Sequence, residues 1–183
     1  MTIPNMNLSE ARTETIDADG YVMRVMAAIV DPKYNRLQLQ LDITEGDKAG
    51  YYKKLYDKAG FWGMTLNLYM DPQSAWKFAR CIDAIKASNE GFTWNDDGEN
   101  DEMTLVGKYL GVVTRKKEYL GNDGIVKRKL VPYSTVSVQD IRDKNYTVPE
   151  MLPLQGHAPT AGPSGVVDTT MNFGPISDED VPF

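Results

Sequence analysis

The eight residues from Arg36 to Ile43 alternate without a break. Leu37, Leu39, Leu41 and Ile43 fall on one side, and Arg36, Gln38, Gln40 and Asp42 on the other. A period of two is the repeat of a strand, whose side chains point to opposite faces in turn. One face of that strand must be covered while the other meets water, so the chain has to build a sheet over a single core. The segment before it, Tyr21 to Val30, is β-rich and mostly apolar, and Asp31-Pro32-Lys33-Tyr34-Asn35 between the two reads as a turn. Two strands joined so closely form an antiparallel hairpin.

Further elements follow the same punctuation. Glu45 to Gly50 is a loop, and Tyr51 to Tyr56 fits either a continued strand or a short helix. Phe61 to Tyr69 alternates again and is expected as a third strand. Asp71-Pro72 supplies an N-cap and first-turn pair for a helix over Gln73–Ser88. Ala75, Phe78, Ala79, Ile82 and Ile85 form its apolar stripe, with Trp76 and Cys81 bordering it as packing residues. Trp94 to Glu102 is an acidic, solvated loop that lacks the Asp spacing of a calcium loop. Met103 to Thr114 is a strand in which Gly107 and Gly111 mark a bulge or bend. Gly121-Asn122-Asp123-Gly124 is a hairpin turn, Val131 to Val138 is the last strand, and Val148-Pro149-Glu150 ends the folded part.

That order makes the chain mainly β. It predicts a five-stranded, OB-fold-like Greek-key barrel with one helix between strands 3 and 4 and a long basic hairpin. Residues 1–19 are expected as a flexible N-terminal arm, 20–150 as the barrel domain, and 151–183 as a disordered linker with an acidic tip. Pro153, Gly156, Pro159, Gly162, Pro163, Gly165, Gly174 and Pro175 break up that last segment, which holds few large apolar groups to offset its ordering entropy.

Composition narrows the chemistry. No apolar run approaches the roughly 20 residues of a membrane span, and no secretory signal is visible at Met1 to Leu8. Cys81 is the only cysteine and His157 the only histidine, which excludes an intrachain disulfide and a Cys/His zinc site. A reducing, cytoplasmic location fits. No metal, cofactor or catalytic set is expected: a nuclease needs acids clustered on rigid strands, and these acids lie mainly in loops and the tail.

The formal net charge is -6, yet Arg115 to Lys129 holds six cations against two acids. Such a local field decides contact with a polyanion more than the overall charge does. Sequence-tolerant binding of a single strand needs cations along the phosphate path and flat side chains for bases. Two stretches interleave them. Tyr52, Lys53, Lys54 and Trp62 lie in the first; Arg115, Lys116, Lys117, Tyr119, Lys127, Arg128 and Lys129, with Tyr133, lie in the second. Tyr34 and Arg36, at the first hairpin, are further candidates.

The chain ends in Asp178, Glu179, Asp180, Val181, Pro182 and Phe183. A basic pocket with an apolar floor could take the ring, the acids and the terminal carboxylate together. This tip is similar to that of bacterial single-stranded DNA-binding proteins, which typically ends Asp-Asp-Ile-Pro-Phe. The body resembles phage-encoded single-stranded DNA-binding proteins in ITEGDKAGYYKKLY (43–56), SNEGFTW (88–94), LVGKYLGVV (105–113), EYLGNDG (118–124) and VQDIR (138–142). It departs from the bacterial type in an acidic insertion, Gly91 to Glu102, and in lacking the familiar bacterial core. The resemblance implies an OB-fold that coats single-stranded DNA, with the tip recruiting replication, recombination and repair proteins. It is compatible with a homo-oligomer. The competing reading is an OB-like protein-interaction module that does not bind DNA.

Overall fold

The computed structural model describes residues 16–154. Its frame is one antiparallel sheet in the order β3-β2-β1-β4-β5. β1 (Gly20–Asp31) and β2 (Arg36–Ile43) form the expected hairpin. The strict alternation of β2 puts Leu37, Leu39, Leu41 and Ile43 into the core, each 3% exposed or less. β1 serves two neighbours: Gly20–Arg24 pairs with β4, and Met23–Asp31 pairs with β2 across a register shift between Val25 and Ala27. β3 and β5 are the two edges of the sheet and no ladder joins them, so the sheet is not closed into a barrel.

Helices fill the connections. Tyr51–Ala59 is a helix, α1, between β2 and β3 (Thr65–Tyr69). Its start is held by Asp42, whose Oδ1 accepts from the Ile43 and Tyr52 N–H groups at 3.0 and 2.9 Å. Asp42 is therefore buried, although the alternation places it on the solvent side. The third strand is shorter than Phe61–Tyr69. Among the described residues there are three α-helices, where one was expected.

α2 (Ala75–Ser88) lies between β3 and β4 (Tyr109–Leu120) as expected, but begins later. Asp71 instead holds a turn ahead of the helix, accepting from the N–H groups of Gln73 and Ser74 at 2.9 Å. The buried stripe is Phe78, Cys81, Ile82 and Ile85, while Ala75 and Ala79 face solvent. Trp76 is 60% exposed, a correction to its expected packing role. It precedes Phe78 by two residues, which is about 200° around a helix of 3.6 residues per turn.

Met103 does not begin a strand. Glu102–Leu105 is a 3-10 turn, and β4 starts at Tyr109. Gly107, with φ of 83°, lies in the turn between them and donates to the Val25 carbonyl at 2.8 Å. β5 spans Val126–Val136, and Val138–Arg142 is a helix, α3, rather than the end of a strand. α3 covers a second apolar cluster of Val22, Val113, Val138 and Ile141.

Most of the expected arm and tail lies outside the described residues, and so does the whole acidic tip. Ile16, however, is 3% exposed in the core. Leu152 pairs along β4, donating to the Lys116 carbonyl and accepting from the Glu118 N–H, both at 2.9 Å.

Cys81 is fully buried, and burial pushes its thiol up to about 12. Only the thiolate reacts. A thiol reagent at pH 8 should therefore leave native Cys81 untouched and label it as urea unfolds the chain. Stoichiometric labelling of the native protein within the mixing time would contradict its placement.

Candidate nucleic-acid interface

The β4–β5 hairpin carries the larger basic segment. Its turn is set by Gly121 to Gly124. The Gly121 N–H donates to the Ile125 carbonyl and the Gly124 N–H to the Gly121 carbonyl, both at 2.8 Å. Gly124 takes φ of 73°, a conformation that a side chain disfavours.

Residues directly opposite in an antiparallel pair share a face. The register pairs Arg115 with Val131, Lys117 with Lys129, and Tyr119 with Lys127. The other face carries Lys116 with Leu130, Glu118 with Arg128, and Leu120 with Val126. The basic segment is thus divided between two faces of one ribbon.

On the second face the cations are matched by acids. Lys116 Nζ lies 2.9 Å from Asp17 Oδ1. Arg128 Nη2 lies 3.2 Å from Glu118 Oε1, whose partner oxygen accepts from the Leu154 N–H at 3.3 Å. Leu130 packs against the core. This face belongs to the body of the protein.

The first face interleaves cations with rings. The Arg115 guanidinium lies 5.1 Å from the Tyr133 ring centroid, and Lys129 Nζ lies 5.2 Å from that of Tyr119. Tyr133 follows Val131 by two residues on this face, and the register shift between Val113 and Thr114 leaves it as the extra residue of β5. It is 53% exposed. Arg115 Nε is buried without a hydrogen-bond acceptor among the described residues. Lys117 and Lys129 stand directly opposite each other, an arrangement that costs stability. Lys127 differs from these: it is buried and paired with Asp123 at 2.8 Å, so it braces the turn.

The first aromatic stretch is less able to receive a base. Tyr52 is 3% exposed and is a core side chain; burial raises its phenol well above the usual range. Trp62 is half-buried, and its Nε1 donates to the Leu41 carbonyl at 2.9 Å. Lys53 and Lys54 are on the solvent side of α1, with Lys53 ion-paired to Asp57. Tyr56 is 44% exposed with its ring 5.4 Å from that of Trp62.

A smaller version of the cation–ring arrangement occupies the β1–β2 turn. Lys33 Nζ and the Arg36 guanidinium lie 4.5 and 4.7 Å from the Tyr34 ring centroid. Arg36 is also paired with Asp31 at 3.0 Å and is only 9% exposed. Sequence reasoning assigned Trp76 to packing and not to the interface; its ring has Lys77 Nζ at 5.4 Å. Its angular position opposite Phe78, Cys81, Ile82 and Ile85 was the available signal.

No helix among the described residues is long and apolar enough to cross a membrane. No protein-family model matches the chain, and no curated protein matches it either.

Proposed function

We propose that the chain is a non-catalytic, sequence-tolerant single-stranded DNA-binding protein on an OB-type barrel, with its acidic tip recruiting replication, recombination and repair proteins. The observation that carries this reading is the first face of the β4–β5 hairpin. Arg115, Lys117 and Lys129 lie there between Tyr119 at one end and Tyr133 at the other, and two lysines stand directly opposite each other. Cations between flat rings suit a strand whose phosphates and bases alternate, whatever the base sequence.

Two further observations support it. The order β3-β2-β1-β4-β5, with α2 between β3 and β4, is that of a five-stranded Greek-key barrel left open between its third and fifth strands. The β1–β2 turn and the β4–β5 turn are the two loops such a barrel uses for oligonucleotides. The first carries cation–ring contacts, and in the strands that lead into the second Lys129 meets the Tyr119 ring.

A salt-titrated binding curve on labelled oligo-dT tests the reading. Affinity should fall linearly on logarithmic axes, with a slope of about -0.7 per phosphate neutralised, and duplex should bind more weakly. Deleting Asp178 to Phe183 should leave that affinity intact or raise it, since the tip brings acids and no cation. Undetectable oligo-dT binding at low salt defeats the DNA-binding reading. A large loss on deletion defeats the division of roles between body and tip.

A further inference from the structure

The chain has three tryptophans, and they differ sharply in surroundings. Trp94 packs between Phe78 and Phe92, with ring centroids 6.2 and 6.4 Å away. Trp62 is tied by its indole N–H to the Leu41 carbonyl. Trp76, on the first turn of α2, is 60% exposed. The packing of α2 does not need it, because Phe78, Cys81, Ile82 and Ile85 anchor the opposite side.

The charges nearest this ring along the helix are cations. Lys77 and Arg80 lie within four residues of it, and Asp83 follows on the same face, one turn beyond Arg80. Lys77 Nζ is over the ring, and Arg80 follows Trp76 by four residues, one turn along the same face. Asp71 is already engaged with the backbone of Gln73 and Ser74.

Position in the fold links this ring to the β1–β2 turn. Asn35 and Met70 exchange hydrogen bonds: the Met70 N–H donates to the Asn35 carbonyl at 2.8 Å, and Asn35 Nδ2 donates to the Met70 carbonyl at 3.1 Å. The end of β3 is thereby fastened beside Tyr34, and six residues after Met70 the chain reaches Trp76. The cation–ring contacts at Tyr34 and at Trp76 thus belong to neighbouring stretches of chain.

We infer that Trp76, with Lys77 and Arg80, is a base-stacking platform for single-stranded nucleic acid, extending the contact path from the β1–β2 turn onto the first turn of α2. The inference rests on the DNA-binding reading above. An exposed indole offers a base a large flat face, and the two cations meet the flanking phosphates.

The test uses the full-length chain and an oligo-dT of about 16 nucleotides, the upper end of the footprint of one such barrel. Trp76→Ala should weaken binding roughly 10- to 100-fold, the loss expected for one stacked base, while leaving the urea midpoint unchanged. Trp76→Phe should recover much of that affinity, yet abolish most of the tryptophan quenching that DNA produces in the parent protein. If the parent binds oligo-dT and Trp76→Ala binds equally well, the platform is refuted and the hairpin reading stands. Quenching retained in a Trp76→Phe protein that still binds refutes it equally. If the parent fails to bind, both readings fall together.

Discussion

Reversing two charges, Lys117→Glu with Lys129→Glu, should reduce affinity for oligo-dT by about 100-fold or more at low salt. Two phosphate contacts disappear, each contributing through counterion release, and two carboxylates then face the polyanion. The neutral pair Lys117→Ala with Lys129→Ala should lose less, with the salt slope shallower by about 1.4 for two contacts on a single strand. Stability should move the other way. Like charges directly opposite each other are destabilising, so the alanine variant should unfold at the same urea concentration or a higher one. Lys116→Ala is the comparison, because Lys116 lies on the opposite face against Asp17. Its affinity should remain close to that of the parent. Equal losses from Lys116→Ala and from the opposed pair would mean that net charge, rather than this face, holds the strand.

How far the site was legible follows from what a linear sequence encodes. The β1–β2 hairpin was legible because β2 repeats every two residues and its turn residues are of the right kind. Asp42 broke the pattern for a reason ten residues away: it caps the start of α1, a partnership that periodicity cannot reveal. Arg36 is likewise buried by Asp31 and Tyr34, across the turn from its own strand. The basic segment was countable, but its division into two faces depends on the β4–β5 register, which sets Val131 opposite Arg115 and so puts Tyr133 beside it. Counting Lys116, Lys127 and Arg128 with the others therefore merged residues paired to Asp17, Asp123 and Glu118 with those aligned along the rings. In α2 the choice of stripe decided the fate of Trp76. A stripe through Ala75 and Ala79 leaves the indole near the core; the observed one through Cys81 and Ile82 turns it to solvent. Alanines suit either side of a helix, so they were weak guides to the buried one.

The largest loss of stability from a single surface-distant change is expected at Gly111. A glycine inside a strand signals a bend or the close approach of another element, and here the cause is α3. A Cβ at this position would lie 2.5 Å from Ile141 Cγ1, 2.7 Å from the Ser137 carbonyl oxygen and 2.9 Å from Val136 Cγ2. The carbonyl is the contact that cannot yield. Ser137 is the N-cap of α3, its Oγ accepting from the Asp140 N–H at 3.0 Å while its own N–H donates to Asp140 Oδ2 at 3.2 Å. Moving it breaks the cap of a five-residue helix whose docking depends on Val138 and Ile141. Gly111→Val should therefore cost about 1–3 kcal/mol, the usual range for overpacking. For a chain of this size that lowers the melting midpoint by roughly 2–12 °C. Gly20→Ala is the informative contrast. Its Cβ would come as close, 2.5 Å from the Tyr146 ring and 2.8 Å from Ile141 Cδ1, but these are side-chain atoms and no backbone group is among them. It should cost less. Well below the melting midpoint, Gly111→Val should still bind oligo-dT, because the hairpin face lies farther along β4 than the contact with α3. An unchanged melting midpoint would mean that α3 does not seat against β4 at Gly111.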